Sequence, residues 1–122
     1  MDIRCLSPEF VICKLPSTDS VDFSGNFIFL SKTDEEISLV CETEHIPPNT
    51  SMVERGFIAF KICGQLDFSL VGIIARISSV LTEGQISVFV ISTYNTDYIL
   101  VKSVEKSRAV MLLRAAGYHV FE

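Results

Sequence analysis

The sequence has no tryptophan, only two histidines and no CxxC pair. Its four cysteines, Cys5, Cys13, Cys41 and Cys63, have no histidine at zinc-finger spacing, so neither a metal site nor a disulfide framework is expected. They read instead as reduced, mostly buried small hydrophobes in a cytosolic chain. No apolar run reaches the roughly 18 residues of a membrane span, and MDIRCLSPEF lacks the basic and then apolar stretch of a secretory leader. A cytoplasmic location with no membrane partner is the expectation.

Functional motifs are missing as well. There is no glycine-rich phosphate loop, metal motif or kinase signature. His45 and His119 have no matching Ser, Cys or Asp at a recognisable spacing, which speaks against a catalytic triad. We therefore expect no enzyme activity, no catalytic residues and no cofactor. Ten Lys and Arg stand against fifteen Asp and Glu, a net charge of −5, and they are scattered rather than striped. That leaves no electrostatic footprint for nucleic acid.

What is present is an apolar chain of 122 residues, 48% hydrophobic and 20% charged, with a mean hydropathy of +0.41. This length buries a core without covalent staples. The high apolar fraction points to surface covered by a partner subunit, and a homodimer is expected.

From Gly56 onward the hydrophobic period alternates between two and 3.6. FIAFKIC (57–63) predicts a strand, with Phe57, Ala59, Lys61 and Cys63 on one face and Ile58, Phe60 and Ile62 on the other. SLVGIIARISSVLTEG (69–84) places Leu70, Ile73, Ile74, Ile77 and Leu81 on one helical stripe. Ser69 or Asp67 is the N-cap candidate, and Gly84 is expected to close the helix in the left-handed conformation. ISVFVIS (86–92) and DYILV (97–101) read as a hairpin around STYNTD. VEKSRAVMLLRAA (104–116) is a second helix with Ala109, Leu112, Leu113 and Ala116 on its apolar face, Ser103 as N-cap and Gly117 as the residue that ends it. YHVF (118–121) is a last short strand. The order β-α-β-β-α-β is the split βαβ of α+β, ferredoxin-like folds: antiparallel sheet with two helices on one face.

The first half echoes the second. At an offset of 61, FIFLSKTDEEISLV (27–40) lies over VFVISTYNTDYILV (88–101), matching Ser31 to Ser92, Leu39 to Leu100 and Val40 to Val101. FVICKL (10–15) corresponds to FIAFKIC at an offset of only 47, so about one helix length, 14 residues, is missing between them. PSTDSVDFSGN (16–26) replaces the first helix, and ETEHIPPNTS (42–51) the second, since Pro47-Pro48 forbids a long one. The reading is two related halves, the N-terminal one degenerate and helix-poor.

Gly72-Ile73-Ile74-Ala75-Arg76-Ile77, followed by Leu81, Gly84, Ile86 and Ile91-Ser92-Thr93, resembles the ACT domain, the regulatory module of enzymes of amino-acid metabolism. A longer signature is similar to small bacterial tandem-ACT proteins, to aspartate kinase regulatory domains and to the animal cytosolic arginine sensor. It comprises Val53, Glu54, Gly56, Lys61, Leu66-Asp67-Phe68-Ser69 and Ile91-Ser92-Thr93-Tyr94-x-Thr96-Asp97-Tyr98. The likeness runs from about residue 8 to 122 and is densest from 53 to 101. Phe57 stands where tryptophan is usual, and Leu70-Val71 replaces a proline common before the glycine. The resemblance implies a degenerate ACT-like subdomain at 1–55 and an ACT domain at 56–122.

An amino-acid ligand needs partners for its carboxylate, its ammonium and its side chain. The junction that leads into the first helix, with Asp67, Ser69, Leu70, Val71, Gly72 and Ile73, offers backbone N–H groups to a carboxylate. Gly72 admits a ligand closely, or else permits tight helix packing; Asp67 caps the helix or faces the ligand. Asp97 either bonds its own turn or balances an ammonium; the resemblance favours the second, because the matching aspartate of the arginine sensor contacts its ligand. Thr93 and Tyr94 supply hydroxyls and an apolar wall, or serve only as strand formers. The sensor's acidic residue is Leu70 here, so arginine specificity does not carry over.

Three functions compete. The first is a non-catalytic sensor of a small amino acid, and the second a ligand-independent dimerisation or protein-interaction module with an unidentified protein partner. The third, a small acyl-phosphate hydrolase, is disfavoured because GQLDFS carries no arginine. Asp34-Glu35-Glu36 reads as a solvated turn.

Overall fold

The computed structural model describes residues 1–64 and 72–122. They divide into two compact units, Pro8–Phe57 and Met1–Ser7 with Ile58–Glu122, and the boundary falls inside one strand. The expected division at 55/56 lies two residues away. Met1–Ser7, which the sequence assigns to the N-terminal half, belongs to the other unit.

In the C-terminal unit the described residues form β1 (Asp2–Cys5), the second half of β5 (Met52–Ile62), α1 (Ile73–Glu83), β6 (Phe89–Ser92), β7 (Asp97–Lys102), α2 (Lys106–Ala115) and β8 (His119–Phe121). This is the expected β-α-β-β-α-β order with one addition. β1, which the sequence did not announce, pairs antiparallel with β5 and parallel with β8, taking the place beside the first strand that a split βαβ sheet gives to the last. Its four residues alternate exposed and buried: Ile3 and Cys5 enter the core, Asp2 and Arg4 do not.

The core of this unit joins Ile3, Ile58, Phe60, Ile62, Ile99, Val101 and Val120 of the sheet to Ile77 and Leu81 of α1 and Ala109, Val110 and Leu113 of α2. The α1 stripe follows the sequence pattern from Ile73 onward, through Ile74, Ile77 and Leu81. On α2 the buried face is rotated, because Val110 is buried while Ala116 is exposed and Leu112 half-buried. Ser103 does not cap α2. A 3-10 turn, Ser103–Glu105, precedes the helix, Glu105 holds the cap position, and the Ser103 Oγ is buried without a hydrogen-bond partner among the described residues.

Both helices end in the same pair of bonds. Gly117 N–H donates to Arg114 O and Tyr118 N–H to Leu113 O, with Gly117 at φ 98° as expected. At the end of α1 Gln85 N–H donates to Thr82 O and Ile86 N–H to Leu81 O, but the left-handed residue is Gln85 (φ 61°), while Gly84 has φ −83°. Gly84 is needed for space instead: a Cβ there would stand 2.4 Å from Leu112 Cδ1. Arg108 reinforces the contact by donating to Gly84 O (2.7 Å) while paired with Glu105.

The N-terminal unit contains β2 (Phe10–Leu15), β3 (Ile28–Lys32), β4 (Ile37–Glu42) and the first half of β5, in the order β3-β4-β2-β5 and antiparallel throughout. Val11, Cys13, Leu15, Leu39 and Cys41 make its core, and the face a helix pair would cover is covered by Val21 and Ile46 from the two substitute segments. Thr43–His45 forms a single 3-10 turn, and no helix occurs over 16–26. The loop is held by the buried Glu42, whose carboxylate accepts the N–H groups of Asn26 (3.0 Å) and Phe27 (3.4 Å). A Cβ on Gly25 would lie 2.9 Å from that carboxylate. Burial pushes the Cys5, Cys13 and Cys41 thiols up, Cys41 to about 12 with Cys13 beside it, so these cysteines are the inert hydrophobes the sequence implies.

The internal repeat is present, but its offset is 60. Thr33 N–H donates to Glu36 O and Thr93 N–H to Thr96 O, both at 2.9 Å, and in each turn the first Thr hydroxyl accepts the fourth residue's N–H. Lys32↔Ile37 then corresponds to Ser92↔Asp97, and Leu30↔Leu39 to Val90↔Ile99. The two 3-10 turns, Thr43–His45 and Ser103–Glu105, obey the same shift. Matching Leu39 to Leu100, as the identities suggest, is one residue out of register and would exchange the faces of the strand. At an offset of 60 the core-facing Leu39 and Cys41 fall on the core-facing Ile99 and Val101.

Two measurements follow from these contacts. Gln85→Gly should stabilise the protein by about 0.5–1 kcal/mol by relieving a left-handed side chain, and Gly84→Ala should cost about 1 kcal/mol through Leu112, both read from denaturant midpoints. Asp22 accepts from Ser24 Oγ and Ser24 N–H and pairs with His45 at 3.0 Å, and these contacts lower its carboxyl from 3.8 to about 2. Its contribution to loop anchoring is full above pH 3.8 and fades as pH falls through about 2, so the Ser24 amide shift should titrate near 2 rather than near 3.8.

Candidate functional site

At the entry to α1, Gly72 adopts φ 78° and ψ 2°, a left-handed conformation that side chains rarely take, and serves as the N-cap. The helix therefore starts at Ile73 with Gly72 at its cap, while the cap candidates Ser69 and Asp67 lie outside the described residues. Arg76 N–H makes the helix's first bond, to Gly72 O at 2.9 Å, so the N–H groups of Ile73, Ile74 and Ala75 precede the helix's own acceptors. No acidic residue lies in this first turn.

Gly72 lines a groove of about 450 Å³ beside α1, with Ala75, Arg76, Ser79, Ala116 and Tyr118 on its walls. Arg76 folds back over the glycine, and a Cβ at position 72 would stand 2.9 Å from its Nη1. Among the described residues the guanidinium has no carboxylate partner. Of the groove residues beyond Gly72, the sequence motif included Ala75 and Arg76 but assigned them no role. Tyr118, behind the bend at Gly117, carried no signal.

The other predicted residues lie in the β6–β7 hairpin. Thr93 Oγ donates to Thr96 O at 3.0 Å and braces the turn, Tyr94 is 74% exposed, and Asp97 faces Ser92 across the hairpin and accepts its hydroxyl. Thr96 decides where this turn sits. It is 4% exposed, and its hydroxyl donates at 2.7 Å to the carbonyl of Ile62, the last residue of β5. The hairpin turn and the end of the strand that leads toward α1 thus share one edge of the sheet. Ile73 packs against the core below. Asp67, Ser69, Leu70 and Val71 lie outside the described residues.

A family model described as the ACT domain matches residues 52–115. The chain belongs to the ACT domain family. A protein from Agobacterium tumefaciens is 30% identical, with a TM-score of 0.86 over 98% of this chain and 91% of that one. A Vibrio cholerae protein of unknown function is 22% identical (TM-score 0.71, covering 93% and 88%). Aspartate kinase from Clostridium acetobutylicum, an allosteric enzyme, shares the fold at 12% identity (TM-score 0.66) over 90% of this chain and 33% of its own. No curated protein sequence matches. As an ACT chain the protein is of the regulatory, ligand-binding class, and its α+β architecture is that of the family.

Among the described residues no group of His, Cys, Asp and Glu is arranged to hold a metal, and no helix is long and apolar enough to cross a membrane. His45 does have an acid beside it, Asp22, which the sequence spacing did not reveal. Ser24 donates to that aspartate and not to the imidazole, so the three are not ordered as a nucleophile and its base.

Thr96→Val keeps the shape of the side chain but leaves the Ile62 carbonyl without its buried donor. It should lower stability by about 1–3 kcal/mol by chemical denaturation and speed amide exchange at Thr93 and Thr96.

Proposed function

We propose that the protein is a non-catalytic regulatory ACT protein that binds a small amino acid at the sheet edge shared by the β5–α1 junction and the β6–β7 turn. The observation that supports this reading is the Thr96–Ile62 bond, which holds the β6–β7 turn at the end of β5, the strand that precedes the junction in the chain. On this reading the first-turn N–H groups at Ile73, reached past the side-chain-free Gly72, take the ligand carboxylate. Asp97 exchanges its Ser92 bond for the ligand ammonium, a charge-assisted contact. Thr93 and Tyr94 border the side chain, and Asp67, Ser69, Leu70 and Val71 complete the junction. The N-terminal unit serves as a degenerate second ACT-like half.

A second reading has its own observation. Among the described residues β6 pairs only with β7, and Phe89 and Val90 on it are 39% and 38% exposed, an apolar edge suited to a homodimer or another protein partner. That module would ignore amino acids.

A thermal-shift panel of the common amino acids separates the two. At 100 times its dissociation constant a ligand adds about 2.7 kcal/mol, so one chemical group of amino acids should raise the melting temperature, and Asp97→Ala should abolish the rise while the unliganded fold is unchanged. A flat panel with a constant dimer mass by light scattering supports the assembly module. A rise that survives in Asp97→Ala removes the site from this edge.

A further inference from the structure

The N-terminal unit has a groove of its own, about 430 Å³, on the sheet face opposite its core. The register places its residues. Lys14, on the central strand β2, lies between Ser38 of β4 and Met52 of β5, while Glu54 is opposite Ile12, one rung along. Glu36 lines the groove beyond Ser38. One cation is therefore flanked by carboxylates on both sides, yet among the described residues Lys14, Glu36 and Glu54 make no ion pair.

The internal repeat tells whether the sheet itself needs these charges. Lys14 corresponds to Lys61, which lies opposite Arg4, and Glu36 corresponds to the buried Thr96. The equivalent lysine of the other unit thus has an arginine at its side and no acid in the place of Glu36. The carboxylates are particular to this groove. Ile12 and the largely exposed Met52 add an apolar wall between the charged groups.

We propose that this groove is a second binding site, for a small molecule bearing one carboxylate and two amines on a short methylene chain. Lys14 takes the carboxylate, Glu36 and Glu54 take the two ammonium groups, and Met52 and Ile12 cover the methylenes. A guest of charge +1 then balances a groove of charge −1. The site is independent of the one at Gly72 and Asp97.

L-ornithine is the probe, with putrescine lacking its carboxylate and L-norvaline lacking its second amine. In amide-resolved NMR of the full chain, ornithine should shift Ile12 to Lys14, Ser38 and Ser51 to Glu54, and each control should bind at least about tenfold more weakly. Glu36→Gln combined with Glu54→Gln, both exposed, the first in the β3–β4 turn and the second on β5, should lose the shifts, whereas Asp97→Ala should keep them. Unmoved groove amides overturn the proposal. So does an unchanged affinity in the double variant, or norvaline binding as well as ornithine.

Discussion

Each unit has a sheet with an apolar face, and that face must be covered. The C-terminal unit does it with two amphipathic helices, which set Ile77, Leu81, Ala109, Val110 and Leu113 on the sheet residues. The N-terminal unit has only loops, and it delivers Val21 and Ile46 in their place. Loops can do this only when their own backbone is satisfied, and here the buried Glu42 and the Asp22–His45 pair provide the anchors. The helix-poor unit thus relies on polar fastening of its loops.

The same constraint produces the candidate site. The helix that packs its stripe on the sheet begins at Gly72, whose left-handed conformation needs no side chain at the cap. Thr96 reaches the Ile62 carbonyl from the neighbouring hairpin and so fixes the turn at the end of β5. The helix-poor unit has no such entry, and its sheet instead carries charge on the open face.

Much of this was legible in the sequence. The period of the apolar residues gave both helices, the hairpins and the order of elements, and the family motif marked Gly72. What failed has identifiable causes. β1 is four residues long, too short for alternation to register. Identities such as Leu39 with Leu100 suggest an offset of 61, whereas the register is set by the hydrogen bonds of the Thr33 and Thr93 turns. Gly84 looked like the left-handed residue because glycine usually is, yet contact with Leu112 claims it for its size and leaves Gln85 the strained position. Tyr118 reaches the groove only through tertiary packing, which no local pattern encodes.

The central claim is that the edge defined by Gly72, Ile73 and the Thr93–Asp97 turn is where a small amino acid binds. Amide-resolved NMR with the amino acid that most raises the melting temperature tests it most directly. The account predicts shifts concentrated at Ile73 to Ala75 and at Thr93 to Asp97. Shifts that leave both segments untouched, with saturation reached at other residues, would contradict it.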